Sequence, residues 1–255
     1  MKQFWQRGRR FLARKLRGQA SPAVDPIESG FPDFSPAERE ILRAVQPYTM
    51  TSPERIAAMI LAVKHIVAHR VPGAVVECGV WRGGSMMAAA LTLRALGDTT
   101  RPLYLFDTFE GMTEPTSMDV SFSGDAASAL LAEAEKGSEI WCHASIEDVR
   151  QNIRSTGYPA EQLHLVSGKV ENTIPDSAPS EIALLRLDTD WFESTQHELI
   201  HLYRRLRQWG VVIVDDYGHW QGARAALDGY LASLPHPTFL HRVDYTGRLF
   251  VKYTP

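Results

Sequence analysis

Short apolar runs alternate with longer amphipathic stretches along most of this chain. Continuous apolar runs of this kind predict strands buried on both faces of a parallel sheet, and the stretches between them predict helices. The alternation therefore predicts a doubly wound α/β fold. The five runs that form its parallel part are AVVEC, PLYLFD, LHLVSG, IALLRLD and VVIVDD.

Helix-start signals divide the stretches between these runs. Ser35 stands before Pro36 and Glu38, which is a Ser cap followed by proline at the first helical position and an acid at the third. The same signal returns at Thr51 or Ser52, from which we expect a helix through about residue 69. Further helices are predicted from Gly84, near 124–136 or 145–156, over 193–208 and over 221–233.

The chain ends on two β-like runs of a different kind, TFLHRVD and RLFVKY. They are joined by Tyr245, Thr246 and Gly247, a spacing typical of a hairpin. We therefore expect an antiparallel pair at the end of the sheet, which brings the number of strands to seven.

Charge is distributed unevenly along the chain. Residues 1–18 contain seven Lys or Arg residues and no acid, and removing these seven charges from the formal net charge of −3 leaves −10. An acidic body lacks the basic surface that phosphates require, which argues against nucleic acid as a partner. Two interpretations of the basic segment stay open, because its helically spaced apolar residues suit peripheral contact with an anionic membrane and its charges suit a solvated tail.

Composition sets the expected domain boundary and location. Residues 18–36 are rich in Pro, Gly, Ser and Asp and indicate a linker, so we expect a basic tail and linker over 1–34 and a catalytic domain over 35–255. The chain has no apolar run near the about 20 residues that span a bilayer, and no signal-peptide pattern. With two cysteines, Cys78 and Cys142, a reduced cytoplasmic location is expected, at the inner membrane face if the tail binds lipid.

A glycine-rich turn follows the first predicted strand. In VVECGVWRGGSM the strand reaches Glu77, Gly79 makes a turn, and Gly83 and Ser85 open a helix. Such glycines let a ligand approach the backbone, although a tight turn alone would also need them. The next strand ends at Asp107, where an acid can accept hydrogen bonds from the ribose of an adenosyl cofactor. The glycine spacing does not fit GxGxxG, which disfavours NAD.

Acids end two further strands. Asp188 and Asp190 are two positions apart, so both project to one face if the extended conformation continues. Asp215 and Asp216 follow the next strand of a βαβ unit, whose strand ends meet at one sheet edge. Four carboxylates there repel one another unless a cation or protons neutralise them. A hard divalent cation is favoured over zinc, and ordinary helix-capping acids are the alternative.

Together these motifs resemble the TylF/MycF family of macrocin-type O-methyltransferases. The antiparallel pair closing a parallel sheet is likewise the arrangement of class I methyltransferases, whose fold is Rossmann-like. The similar segments run in order from about residue 46 to 250 and are YTMTSPERI, VVECGVWRGGSM, LYLFDTFEGM, LDTDWFEST, VVIVDDYGHWQGA and DYTG.

The resemblance implies a homo-oligomeric enzyme dependent on S-adenosylmethionine and Mg²⁺. Its acceptor would be a sugar hydroxyl of a glycosylated natural product or polysaccharide precursor, and residues of about 35–70 would form a helical lid. The implied catalytic residues are Asp190, as general base, and Asp188, and the implied metal ligands are Asp188, Asp215 and Asp216. The implied cofactor-binding residues are Tyr48, Met50, Ser52, Glu77, Gly79, Trp81, Gly83, Ser85 and Asp107.

Two other functions fit part of this pattern. A catechol or other phenol acceptor keeps the same fold, cofactor and metal, whereas a non-catalytic cofactor-binding scaffold has no need of the paired acids. Trp81, Trp191 and Trp220 adjoin the motifs and either wall the pocket or pack in the core. His219 is either a base or substrate contact or a surface histidine.

Overall fold

The computed structural model describes residues 25–135 and 139–254, so the basic segment 1–18 lies outside the described part of the chain. Contacts divide the chain into two compact units between Arg39 and Glu40. Both cysteines are free thiols. Within the two described ranges, no helix is long and apolar enough to cross a membrane.

Seven strands form one sheet. They are β1 Ala74–Cys78, β2 Leu103–Asp107, β3 Leu163–Ser167, β4 Ile182–Leu187, β5 Leu206–Val214, β6 His241–Arg242 and β7 Arg248–Val251. Their spatial order is β3-β2-β1-β4-β5-β7-β6. The first five pair in parallel, whereas β7 runs antiparallel to both β5 and β6. The predicted doubly wound sheet with a C-terminal antiparallel hairpin is therefore confirmed.

Helices connect the strands. They are α1 Pro26–Gly30, α2 Pro36–Val45, α3 Pro53–Ala68, α4 Gly84–Ala95, α5 Ala127–Glu133, α6 Ile146–Ser155, α7 Val170–Thr173, α8 Phe192–Leu202 and α9 Gln221–Ala232. Single 3-10 turns occupy Gln46–Tyr48, Glu139–Trp141, Ala160–Gln162 and Tyr203–Arg205. The two alternative positions for a helix between β2 and β3 are thus both helical.

Polar caps fix the predicted helix starts. At α2, the Ser35 Oγ accepts the Glu38 N–H at 3.3 Å while the Glu38 carboxylate accepts the Ser35 N–H at 2.7 Å, a reciprocal capping box. At α3, the Ser52 Oγ accepts the N–H of Arg55 at 3.2 Å. Ser52, and not Thr51, is therefore the cap of α3.

The central strands form the apolar core. All residues of β1 and β4 are buried, as their continuous apolar sequences predict. Strand β3 differs, because none of its residues is buried and Ser167 is exposed. The expectation that LHLVSG is buried on both faces is wrong, since β3 is an edge strand with a neighbour on one side only.

The predicted helix 193–208 is too long at its C-terminal end. Helix α8 stops at Leu202, and β5 begins at Leu206, which pairs with Ile182 of β4. The Lys252 ammonium donates to the Leu206 carbonyl at 2.8 Å and the Trp209 N–H donates to the Lys252 carbonyl at 2.7 Å. Tertiary strand pairing thus overrides the local helical pattern of this stretch.

The C-terminal hairpin is shorter than its two β-like runs. Strand β6 contains only two residues, and the turn that follows is held by Asp244, whose Oδ1 accepts the N–H groups of Thr246 at 3.0 Å and Gly247 at 2.7 Å. This side-chain-closed turn is one that Asp favours. It carries Tyr245 and Thr246 to the carboxyl end of β5.

Candidate active site

A pocket of about 360 Å³ opens at the carboxyl ends of β1, β2, β4 and β5. Ligands of open α/β sheets bind in this position because the strand order reverses there. The segment 48–51, which precedes α3 and which we name the lid segment, covers one side of the pocket. Of the sequence-predicted residues, its lining includes Tyr48, Met50, Gly79, Trp81, Ser85, Asp107, Asp188, Asp190, Trp191, Asp215, Asp216, His219 and Trp220.

The glycines of the first turn make room for neighbouring protein backbone. Gly79 has φ +79°, and a Cβ there would lie 1.9 Å from the Asp188 carbonyl oxygen. A Cβ on Gly84 would lie 2.6 Å from the Tyr48 carbonyl oxygen. These two positions therefore bring the acid-bearing strand end and the lid segment against the turn, an approach that a side chain would prevent. Gly83 caps α4 in a left-handed conformation and does not line the pocket.

Asp107 closes the same turn from the end of β2. Its Oδ2 accepts the N–H of Val80 at 2.6 Å and of Trp81 at 3.2 Å, and its Oδ1 accepts the N–H of Phe109 at 2.7 Å. Trp81 and Phe109 both have left-handed φ values, 46° and 56°. The carboxylate lines the pocket and keeps lone pairs for further donors, so it can both order the turn and bind a ligand hydroxyl.

Arg186 is the central positive charge in the pocket lining. This residue of β4 is 3% exposed, and its Nη1 lies 2.5 Å from Glu77 Oε1 and 2.6 Å from Asp188 Oδ2. Its Nη2 lies 2.5 Å from Asp215 Oδ1. A buried guanidinium with three carboxylate partners neutralises part of the repulsion that the strand-end acids create.

Glu77 lies behind this guanidinium and not in the pocket lining. It is 1% exposed, and its Oε2 has no hydrogen-bond partner among the described residues. Burial raises the pKa of Glu77 to about 7 despite the opposing charge of Arg186. In this geometry Glu77 holds Arg186, which itself lines the pocket.

A second arginine reaches the acids from α3. Arg55 forms an ion pair with Asp215, and its Nε donates to Asp244 Oδ2 at 3.0 Å. The Ser52 Oγ donates to the same Asp244 oxygen at 2.7 Å. The start of α3, the acid at the end of β5 and the C-terminal turn are therefore joined by charged hydrogen bonds, although Ser52 itself does not line the pocket.

Asp190 has a strained backbone and a directed carboxylate. Its φ of 65° is left-handed, so the extended conformation of β4 does not continue, yet Asp188 and Asp190 both line the pocket. The Trp220 Nε1 donates to Asp190 Oδ1 at 2.7 Å, and the Asp190 N–H donates to Asp216 Oδ2 at 3.2 Å. Left-handed non-glycine residues concentrate at functional sites, where surrounding contacts hold them in place.

Enclosure and mutual repulsion shift the titration of these acids. Desolvation by the surrounding protein, followed by the charge of Asp188, raises the pKa of Asp190 to about 7. Desolvation likewise raises the pKa of Asp188 and of Asp216, against the opposing effect of Arg186. A carboxyl with a pKa near neutrality is suited to accepting and releasing a proton.

Asp188, Asp215 and Asp216 form a set of oxygen donors suited to a metal. Each offers one carboxylate oxygen, and these oxygens all lie within 4.8 Å of one another. Hard divalent cations such as Mg²⁺ prefer oxygen ligands. The donor set therefore fits the predicted cation, even though Arg55 and Arg186 already occupy oxygens of Asp215 and Asp188.

The lid segment is fastened to the glycine turn by Arg82. Its guanidinium lies 5.1 Å from the centre of the Tyr48 ring and donates to the Pro47 carbonyl at 3.1 Å. The Arg82 Nε also lies 2.9 Å from Asp148 Oδ2 of α6. Tyr48 is thereby held beside the turn, whereas Met50 is 46% exposed at the pocket rim.

Sequence reasoning missed three residues that shape the site: Arg55, Arg186 and Glu198. Arg186 lies inside the apolar run of β4 and Arg55 lies in the first turn of α3, and most of their acidic partners are distant along the chain. Glu198 of α8 is fully buried, and its Oε1 accepts the Thr189 hydroxyl at 3.0 Å. Burial raises the pKa of Glu198 well above its usual range, and its carboxyl holds Thr189, the residue between Asp188 and Asp190.

Comparison with known proteins identifies the family of this chain. Residues 34–252 match the family described as Macrocin-O-methyltransferase (TylF). The chain is 33% identical over 207 residues to the 8-demethyl-8-(2,3-dimethoxy-alpha-L-rhamnosyl)-tetracenomycin-C 4'-O-methyltransferase of Streptomyces olivaceus, covering 81% of this chain and 76% of that protein. It is 32% identical over 200 residues to demethyldecarbamoylnovobiocin O-methyltransferase of Streptomyces niveus, covering 78% and 74%.

A solved structure has a similar fold over most of the chain. The O-methyltransferase NovP superposes with a TM-score of 0.71 at 31% identity, over 81% of this chain and 83% of NovP. Both the predicted fold and the predicted family are thus confirmed. The chain belongs to the TylF macrocin-O-methyltransferase family and is an S-adenosylmethionine-dependent O-methyltransferase.

Proposed function

We propose that this enzyme methylates a hydroxyl of a sugar on a larger molecule, with Mg²⁺ held by Asp188, Asp215 and Asp216. The observation that carries the proposal is the position of Asp190, a proton acceptor beside three clustered carboxylates. The relatives support the acceptor class, since one is named for a rhamnosyl-bearing substrate and another as a mycinamicin III 3''-O-methyltransferase from Micromonospora griseorubida.

Separate residues are proposed to activate the acceptor hydroxyl and to accept its proton. Bound Mg²⁺ would polarise the acceptor hydroxyl and lower its pKa, and the sulfonium of S-adenosylmethionine would supply the methyl group. Asp190 accepts the proton that the hydroxyl loses as its oxygen bonds to the methyl carbon, while the bond between that carbon and the cofactor sulfur would break and release S-adenosylhomocysteine. Trp220 orients Asp190 through the 2.7 Å hydrogen bond, and the rings of Trp191 and Trp220 wall the pocket edge to face at 5.1 Å.

The glycine turn and β2 are proposed to bind the adenosyl part of the cofactor. Asp107 faces the pocket beside Gly79 and Trp81, and Tyr48 closes it from the lid segment. A carboxylate at a strand end is suited to ribose hydroxyls, and an aromatic side chain to an adenine ring. In this arrangement the acid that would bind the cofactor, Asp107, is separate from Asp190 and the proposed metal ligands, which would act on the acceptor.

Replacing Asp107 is expected to weaken cofactor binding. Asp107→Ala removes both the proposed ribose acceptor and the group that orders the N–H groups of Val80 and Trp81. Isothermal titration with S-adenosylhomocysteine should show affinity at least about tenfold lower, the cost of a lost charged hydrogen bond. Asp176→Ala removes an exposed carboxylate outside the pocket lining and serves as the control. Unchanged affinity in Asp107→Ala would show that the cofactor does not bind at Asp107.

Mg²⁺ is expected to stabilise the protein at high pH and not at low pH. The pKa values of Glu77 and Asp190 rise to about 7 in the fold, so the folded state keeps protons that the unfolded chain has released. Stability present below about pH 4 is therefore lost as the pH rises through about 7. Mg²⁺ binds ionised carboxylates and offsets that loss.

The measurement is thermal unfolding with and without saturating Mg²⁺, near pH 8 and near pH 5. The account predicts a higher Tm with Mg²⁺ at pH 8, no shift at pH 5, and no shift at either pH in Asp216→Asn. An equal Mg²⁺ shift in Asp216→Asn would place the bound cation outside the acid cluster.

An acceptor screen tests the proposed function itself. Purified protein with S-adenosylmethionine and Mg²⁺ is incubated with simple rhamnosides and other glycosides, and with catechol, and methylated products are identified by mass spectrometry. A methylated sugar hydroxyl supports the proposal. Methylation of catechol with every sugar left unmodified would favour the phenol-type alternative.

A further inference from the structure

Three aromatic side chains form an exposed cluster beside the acids, and we name Phe122, His219 and Tyr245 the aromatic platform. Phe122 is 64% exposed and Tyr245 is 55% exposed. The ring centres of Phe122 and His219 are 5.5 Å apart, and Tyr245 lies 6.3 Å from Phe122 and 6.2 Å from His219. Large aromatic groups exposed together in this way mark a binding surface more often than an isolated exposed residue does.

Backbone hydrogen bonds hold the platform in place. The Phe122 N–H donates to the His219 carbonyl at 2.8 Å, and the Gly218 N–H donates to the Thr246 carbonyl at 2.9 Å. A Cβ on Gly218 would lie 2.0 Å from the Tyr245 carbonyl oxygen, so glycine is what lets these segments meet. The three rings come from three different loops that are joined main chain to main chain, which makes the platform a preformed surface.

The platform adjoins Asp190, the proposed general base. Trp220 donates to Asp190, and the rings of Trp220 and His219 are 4.8 Å apart in an edge contact. His219 and Tyr245 line the main pocket, and His219 and Trp220 also line a neighbouring cavity of about 420 Å³ that Phe122 borders. A molecule whose hydroxyl lies at Asp190 therefore meets the platform with the part that extends out of the pocket.

We propose that the aromatic platform binds the apolar ring system to which the methylated sugar is attached, and so selects acceptors by their aglycone. The inference rests on the proposed function, because it assumes that a glycoside places its sugar hydroxyl at Asp190. Uncharged aromatic faces favour stacking against another ring, with a modest gain in affinity for each contact. The platform is thus a specificity determinant that is separate from the proton transfer.

Two glycosides that differ only in the aglycone provide the test. Methyl α-L-rhamnopyranoside and 4-nitrophenyl α-L-rhamnopyranoside are titrated into protein saturated with S-adenosylhomocysteine, and their Kd values are obtained by ligand-observed NMR. The wild-type protein is expected to bind the aryl glycoside at least about fivefold more tightly. In Phe122→Ala/Tyr245→Ala that preference should fall to within about twofold, because the Kd of the aryl glycoside rises by more than the Kd of the methyl glycoside.

Phe239→Ala is the matched control, because Phe239 is 74% exposed and lies outside both cavities. It should keep the full preference for the aryl glycoside, and thermal unfolding checks that each variant is folded. Equal affinity of the wild-type protein for the two glycosides, a preference that survives in the double variant, or no glycoside binding would overturn the proposal. S-adenosylhomocysteine is also titrated into the same samples. If the wild-type protein binds it but the aglycone makes no difference, only the platform proposal is overturned. If the wild-type protein does not bind it, the proposed function is overturned as well.

Discussion

Asp190→Asn is expected to lower kcat for methyl transfer by about 100- to 10,000-fold, the range for loss of a general base. Asparagine is close in size to aspartate, tolerates the left-handed φ of 65° at this position, and can still accept the Trp220 N–H through its amide oxygen. The substitution therefore removes the proton acceptor and leaves the local structure in place. Turnover is measured with whichever glycoside the acceptor screen identifies.

Cofactor affinity separates this effect from a structural one. The Kd for S-adenosylhomocysteine should stay within about twofold in Asp190→Asn, because Asp107 and the glycine turn are unchanged. Asp176→Asn, an exposed carboxylate outside the pocket lining, should retain full turnover. Loss of S-adenosylhomocysteine binding in Asp190→Asn would show that this residue supports the cofactor site and would remove it from the role of base.

Arg186→Met is expected to cost about 3–5 kcal/mol of unfolding free energy near pH 8, the range for breaking a buried ion pair by removing one partner. Methionine fills much of the same volume but leaves Glu77, Asp188 and Asp215 without their shared guanidinium. The loss should be smaller near pH 5, where Glu77, whose pKa in the fold is about 7, takes up a proton and no longer needs a counter-charge. Urea unfolding at the two pH values measures both effects.

The matched control is the exposed ion pair of Arg207 and Glu181, whose side chains are 51% and 48% exposed. Arg207→Met should change the unfolding free energy by less than about 1 kcal/mol. If Arg186→Met is no more destabilising than this control, the buried network is not the main counter-charge of the acid cluster. A fold that survives only with Mg²⁺ present would instead show that the cation can replace the guanidinium.

The sequence pattern was sufficient for the fold because local and long-range signals agree. Apolar runs gave the five parallel strands, and Ser35 and Ser52 gave helix starts that form as predicted. The wrong predictions concern segments whose conformation is set by pairing with a neighbouring strand. The sequence HLYRRLRQW continues the helical pattern of α8. From Leu206 onward it nevertheless forms β5, because it pairs with β4.

Within the site, the strand-end acids were predictable and their partners were not. Asp188, Asp190, Asp215 and Asp216 follow strands whose parallel order brings the ends together, which topology alone requires. Arg186 has no such signal, because a single arginine in an apolar strand is also compatible with an exposed edge. Its contact with Glu77 spans 109 residues and exists only once β1 and β4 pair.

Glycine roles also needed the structure. Gly79 and Gly84 suggest close approach by a ligand, but the contacts they permit are with the backbone of Asp188 and of Tyr48. The sequence pattern could indicate that space was needed at these positions. Which atoms fill it depends on the end of β4 and on the lid segment, both far away along the chain.

Electron paramagnetic resonance of Mn²⁺ tests directly whether the acid cluster binds a metal ion. Mn²⁺ favours the same oxygen ligands as Mg²⁺, and its free-ion signal falls as it binds to protein. With S-adenosylhomocysteine present, the account predicts one bound Mn²⁺ per chain, displaced by excess Mg²⁺ and lost in Asp215→Asn/Asp216→Asn. An undiminished free-ion signal, or binding that persists in the double variant, would contradict a metal-assisted methyl transfer at this site.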